Sequence, residues 1–201
     1  MEITQTQQRQ QRAKAAGLLL SLHEQGNLDQ PERWTWKALD LLPAWCLADA
    51  NYRQQLQQIC GALYLSPEIR FWIDKPALEA MESVIGKSMF ARIMNHADAM
   101  ALPREPLAPV VRQASINSTS VQPAELHSFL MSAGATVLSA TVHESLPREM
   151  LVGSLGEGLA RSSGQFEDEK TDVLNRDSAL ALHYVAIALL DSSDEATVGA
   201  A

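Results

Sequence analysis

"PAELHSFLMSAGATVLSATV", residues 123–142, decides the fold class. Leu126, Phe129, Leu130, Ala133, Val137, Leu138, Thr141 and Val142 fall on i, i+3, i+4 steps, which gathers them on one face of an α-helix. The same period recurs outward from this stretch. Tyr52, Leu56, Ile59, Cys60 and Leu63 carry it through residues 51–65, and Met89, Ile93 and Ala97 share one face of "KSMFARIMNHADAM". "TDVLNRDSALALHYVAIALL", residues 171–190, reads as a final helix, apolar nearly all round towards its end, of the kind sandwiched in a core or against a partner. The expectation is an all-α protein: a compact multi-helix domain with a Pro-rich internal linker and frayed termini.

Composition agrees. Hydrophobic residues make up 46% of the 201 and aromatics only 5%, so Ala and Leu carry much of the apolar content. That balance favours helix, because strands prefer β-branched and aromatic residues. The net charge of -8 repels a phosphate backbone, so nucleic acid is not an expected partner. The charge is uneven: residues 1–150 carry 13 Lys/Arg against 15 Asp/Glu, whereas residues 151–201 carry 3 against 9.

Stop and start signals divide the chain. Residues 4–25 read as a helix whose first half, "TQTQQRQQRAK", lacks an apolar face and is expected to project into solvent. Gly26-Asn27 stops it. Pro31 starts "PERWTWKALDLL", and Pro43 opens the short piece "PAWCLADA". Ser66-Pro67-Glu68 reads as an N-cap followed by Pro at the first position of a new short helix. "PALEAMESVIG" ends at Gly86. Residues 102–123 hold four prolines and a Ser/Thr/Asn cluster, so they form a linker or a surface strap. The expected organisation is an N-terminal helix or extension over 1–30 and a domain over 31–190. That domain has candidate subdomains 31–101 and 124–190, and a disordered tail follows over 191–201. The polar start has no apolar h-region behind it, so no signal peptide is expected. The longest near-apolar run, residues 179–190, is too short to cross a bilayer.

No motif completes a chemical site. "HESLP", residues 143–147, begins like a zinc-protease helix but has Pro147 where the second His would stand. His96 with Asp98, and Glu125 with His127, are too few to fill a coordination shell. "GSLGEGLARSSG" lacks the strand and the Lys-Ser/Thr end of a phosphate cradle. No G-x-S-x-G is present, and no His lies near Cys46 or Cys60, which read as buried reduced thiols. His183 reads as a satisfied core histidine. No catalytic residue, cofactor or metal is therefore expected.

The aromatics leave two readings open, packing in the core or anchoring an interface. Trp34, Trp36, Trp45 and Trp72 all lie in the first 72 residues. On a helix Trp34 and Trp36 point about 200° apart, so both cannot face one core. "SPEIRFWIDKP", residues 66–76, sets Arg70 beside Phe71 and Trp72 between two prolines. Exposed Trp and Arg are common interface anchors, so Trp34, Trp36, Arg70 and Trp72 are the candidate partner-binding residues.

"ICGALYLSPEIRFWIDKPALEAMESVIGKSMFARIMNHADAMALP", residues 59–103, resembles the SctK family (YscK, PscK and relatives), the accessory protein of the type III secretion sorting platform. Upstream "WKALDLLPAW" is similar to that family's Trp-containing approach, and downstream residues 126–159 resemble its next helix pair. The likeness spans roughly residues 34–160. The Gln-rich start and the acidic last 40 residues depart from it. The resemblance implies a helical adaptor without a catalytic site, in the bacterial cytoplasm at the injectisome. Its implied partners are the SctQ-type pod protein and the SctD-type inner-membrane ring protein, with SctL and SctN reached indirectly, and no membrane insertion of its own. The residues taken alone also allow an unrelated helical regulatory or chaperone-like binding module, and a small helical enzyme whose site converges from distant positions.

Overall fold

A computed structural model describes residues 5–24, 35–70, 75–96, 123–143 and 176–198. Its elements are α1 (Gln5–Glu24), α2 (Trp36–Leu39), a 3-10 turn (Ala44–Leu47), α3 (Ala50–Ile69), α4 (Lys75–Ile85), α5 (Lys87–Asn95), α6 (Pro123–Thr141) and α7 (Arg176–Val198). The protein is all-α, with no strand among the described residues.

The helix read first, α6, lies at the centre. Leu126, Leu130, Ala133, Val137, Leu138, Thr141 and Val142 are buried as their spacing demands, and Phe129 is half-buried. Ala135 and Ala140, off that stripe, are buried too, so α6 is covered on more sides than its periodicity implies. Its main neighbour is α3; α7 packs on both, and α4 packs on α6 and α5. The described residues of segments 31–101 and 124–190 therefore share one core, which runs from Leu56, Cys60 and Leu63 of α3 to Leu130 and Leu138 of α6 and Leu182 and Ala186 of α7.

Two glycines bring α3 and α6 together. A Cβ added at Gly61 would fall 2.9 Å from the Gly134 nitrogen, and one at Gly134 would fall 2.6 Å from the Gln57 carbonyl carbon. The helices cross backbone against backbone, closer than any side chain allows. Gln57, buried beside this crossing, donates its amide Nε2–H to the Met131 carbonyl at 2.7 Å. That bond answers the cost of taking an amide out of water. One turn of side chain away, Gln58 Nε2 donates to the Val84 carbonyl at 2.9 Å, which has no intrahelical donor at the end of α4.

Helix boundaries follow local chemistry with three exceptions. Asp49 caps α3 by accepting the Tyr52 N–H at 2.9 Å. Gly86 separates α4 from α5 with φ +90°, a backbone region that costs glycine little. The first exception is the new helix expected at Ser66, which does not exist, because α3 continues through Pro67 to Ile69. Proline removes the N–H that would bond the Leu63 carbonyl, and the Ser66 hydroxyl takes that carbonyl instead, at 2.8 Å. Burial of Leu65 and Ile69 on the core face holds the extra turn.

The second exception is the helix expected through Leu42. Its described part ends at Leu39, where the Leu42 N–H bonds the Leu39 carbonyl in a tighter turn. Pro43 disfavours α geometry at the residue before it. The start of that helix, residues 31–34, lies outside the described residues. The third is the tail expected to be disordered from residue 191, because α7 runs on to Val198. "DSSDEATV" contains neither Gly nor Pro to stop it. Ser192 ties that end down, donating to the Ala188 carbonyl at 2.7 Å and accepting from Arg92 of α5. α7 is also not enveloped: Tyr184 is exposed on its outer face. The proline-rich stretch 102–122 and the glycine-containing segment 147–161 lie outside the described residues.

Candidate partner-docking site

Of the four candidate binding residues, the structure describes two. Trp34 and Trp72 lie outside the described residues. Trp36 is 59% exposed. Arg70 is exposed at the end of α3, but its guanidinium is engaged: Nη2 donates to the Met94 carbonyl in the last turn of α5. A cation there satisfies a free carbonyl and complements the negative end of the helix dipole. Arg70 thus joins α3 to α5, while Trp36 belongs to a different cluster.

That cluster was only partly legible. Arg12 of α1 forms a two-bond pair with Asp40, Nε to Oδ1 at 3.0 Å and Nη2 to Oδ2 at 2.6 Å. The same guanidinium lies over the Trp36 ring, 5.9 Å from its centroid. Asp40 stands four residues after Trp36, the helical spacing that puts two side chains on one side. The guanidinium hydrogen bonds hold the Asp40 carboxyl below the usual carboxylate range and raise the Arg12 pKa in turn. The Gln-rich half of α1 is open to solvent as expected at Thr6, Arg9, Gln10, Gln11, Ala13 and Lys14, with Arg12 tied to Asp40, and the apolar half seats the helix. Ala15 is buried, Leu18 and Leu19 pack against the core, and α1 lies on the 3-10 turn and α2.

The fourth tryptophan, Trp45, is the core aromatic of this region. It is 1% exposed, and its indole Nε1 donates to Thr141 Oγ1 at 3.0 Å. Thr141 passes its own proton to the Leu138 carbonyl at 2.6 Å, so both groups are satisfied without water.

Cys46 and Cys60 are buried free thiols. Burial pushes the Cys46 thiol up to about 12 and raises that of Cys60 as well, so neither supplies a thiolate near neutral pH. His183 departs from expectation. It is 6% exposed, yet neither ring nitrogen has a hydrogen-bond partner among the described residues. The Tyr184 ring lies beside it, tilted at 52° with centroids 5.9 Å apart.

Burial lowers the His183 pKa, because the imidazolium cannot be hydrated there. The unfolded chain then takes up the proton first. The contribution of His183 is fully present above the ordinary histidine value of about 6.5 and is lost as pH falls below it. The expected slope is at most ~1.4 kcal/mol per pH unit from this group. Urea midpoints taken from pH 7.5 to 5 check it: His183→Leu flattens the fall, and an unchanged fall places the acid sensitivity elsewhere.

Among the described residues no group of three or more His, Cys, Asp and Glu side chains could hold a metal ion, and no helix is long and apolar enough to cross a membrane. What these residues do present is an exposed tryptophan held against a fixed arginine–carboxylate pair. Set against family models, curated proteins and solved structures, the chain matches none of them.

Proposed function

We propose that this chain is a non-enzymatic adaptor of a bacterial type III secretion system, acting in the cytoplasm at the face of the injectisome. In this role it links the SctQ-type pod of the sorting platform to the cytosolic domains of the SctD-type inner-membrane ring. The observation that carries the reading is the ordered pattern of residues 59–103, an Ile-Arg expected within a short helix, a Leu-rich helix, a helix from near Gly86 to Ile93 and His96, and a proline-rich break; the Ile-Arg lies instead at the end of α3. The helix boundaries at Ile69, Lys75–Ile85, Gly86 and Lys87–Asn95 are compatible with that order. An exposed Trp36 supplies a side chain of the type that anchors protein interfaces.

Co-purification with cognate SctQ-type and SctD-type proteins tests the role directly. Trp36→Ala is expected to keep the melting temperature, because the ring is mostly outside the core, and to weaken capture of a partner by about tenfold or more. Loss of binding that tracks loss of stability would make Trp36 structural. Capture of neither partner by the wild-type chain would leave the helical regulatory or chaperone-like module as the better account.

A further inference from the structure

α7 is apolar on the side that faces away from the core. Its buried apolar residues, Ala179, Leu182, Ala186, Leu189 and Leu190, all lie about 120° or more round the helix from Tyr184, which is 66% exposed. The arc within about 60° of Tyr184 holds Leu180, Ala181, Ile187 and Ala188, each exposed or half-buried. Asp177 and Asp191, both exposed, close that arc about 10 Å along the axis on either side of Tyr184 and about 20° from its line. A helix face turned to solvent ordinarily carries polar side chains. Between the two aspartates this one offers a single polar group, the Tyr184 hydroxyl. The charge around the face has one sign. After Arg176 the sequence contains no Lys or Arg, but it contains Asp177, Asp191, Asp194 and Glu195. Residues 144–175, outside the described part, do not offset this, with 3 Lys/Arg against 7 Asp/Glu. Asp191, Asp194 and Glu195 also stand at the negative end of the α7 dipole, which disfavours them. Arg92 of α5 reaches Ser192 there, but Asp191 forms no ion pair with a described residue.

We infer that this outer face of α7 docks a basic amphipathic helix of a partner protein. The partner lays its apolar side chains on Leu180, Tyr184 and Ile187, and sets a Lys or Arg two turns further along against Asp191. Charge selects this occupant. A second copy packed antiparallel across Tyr184 sets Asp177 opposite Asp191 at both ends, and one packed parallel sets each aspartate against its own twin. An acidic segment meets the same repulsion, and a neutral apolar one leaves Asp191 facing a surface that does not answer it. A basic helix gains the ion pair, covers the apolar arc and neutralises the carboxylates that the helix dipole disfavours.

Fluorescence anisotropy of a labelled leucine–lysine amphipathic peptide helix, titrated with the full chain, tests this. Saturable binding is expected, weakened by raised NaCl. Tyr184→Ala and Asp191→Lys are each expected to raise Kd by about tenfold or more. Neither should unfold the protein. The Tyr184 ring is mostly outside the core, and a lysine at position 191 suits the negative end of the helix, so the melting temperature of Asp191→Lys should hold or rise. Should Tyr184→Ala lower it, Asp191→Lys carries the test alone. A leucine–glutamate helix of the same pattern should not bind. No saturable binding of the lysine helix, equal binding of the glutamate helix, or a Kd indifferent to Asp191→Lys overturns the inference. So does a wild-type dimer in sedimentation that Tyr184→Ala dissolves, which would make a second copy the occupant. No secretion protein enters the measurement, so the docking face stands or falls apart from the adaptor reading.

Discussion

Gly134→Ala is expected to destabilise the protein by at least about 3 kcal/mol, at the upper end of what overpacking costs. The added Cβ would lie 2.6 Å from the Gln57 carbonyl carbon and 3.1 Å from the Gly61 nitrogen. Both obstacles are backbone, so no side chain can swing aside. Relief comes only by moving α3 and α6 apart, which loosens Leu56, Cys60, Leu130 and Leu138 and breaks the Gln57–Met131 hydrogen bond. Gly61→Ala meets the Gly134 nitrogen and should behave alike. The control is Gly17→Ala in α1, where nothing lies within 4 Å of the new methyl. There the ordinary helix preference for alanine operates, and a gain of ~0.5–1 kcal/mol is expected. Urea unfolding of the three variants gives the comparison. If Gly134→Ala matches Gly17→Ala in sign, the close crossing is not present in solution.

These glycines show what periodicity leaves unread. The α6 stripe was visible because apolar side chains recur at 3.6, and the core uses them as spaced. Gly61 and Gly134 add no hydrophobic signal, and in isolation each only weakens its helix. Their role depends on a neighbour 73 positions away in the chain. Ser66-Pro67 misled for a different reason. Local grammar matches a helix start, but a proline two residues from a helix end forfeits one hydrogen bond, and Ser66 restores the lost partner. The candidate site divides the same way. The crowding of tryptophan and the opposed directions of Trp34 and Trp36 pointed to an exposed ring, and Trp36 is one. Nothing in the Gln-rich stretch marks Arg12 as the residue that reaches across 28 positions to Asp40. Exposure and charge mark Arg70 as a contact residue, whereas its guanidinium donates to a helix-end carbonyl that sequence spacing does not reveal.

Trp45 is expected to produce the other large loss. It sits in the 3-10 turn Ala44–Leu47, where the 3.6 period does not apply, and it packs where the turn meets the end of α6. Trp45→Ala removes a ring that is 1% exposed, at an expected cost of ~3–5 kcal/mol. For a domain of this size that lowers the melting temperature by on the order of 10 °C. Trp36→Ala, one helical turn and a proline away in the chain, should shift it little, since the ring is 59% exposed. The hydrogen bond can be weighed apart from the packing. Thr141→Val keeps the shape but strands the buried indole N–H, for ~1–3 kcal/mol. Trp45→Phe removes that N–H but also loses ring volume. Combining Trp45→Phe with Thr141→Val in one chain leaves no donor without an acceptor, so the double variant should lose less than the sum of the two. Strict additivity would mean that the Trp45–Thr141 bond at 3.0 Å contributes nothing, and that packing alone holds the turn against α6.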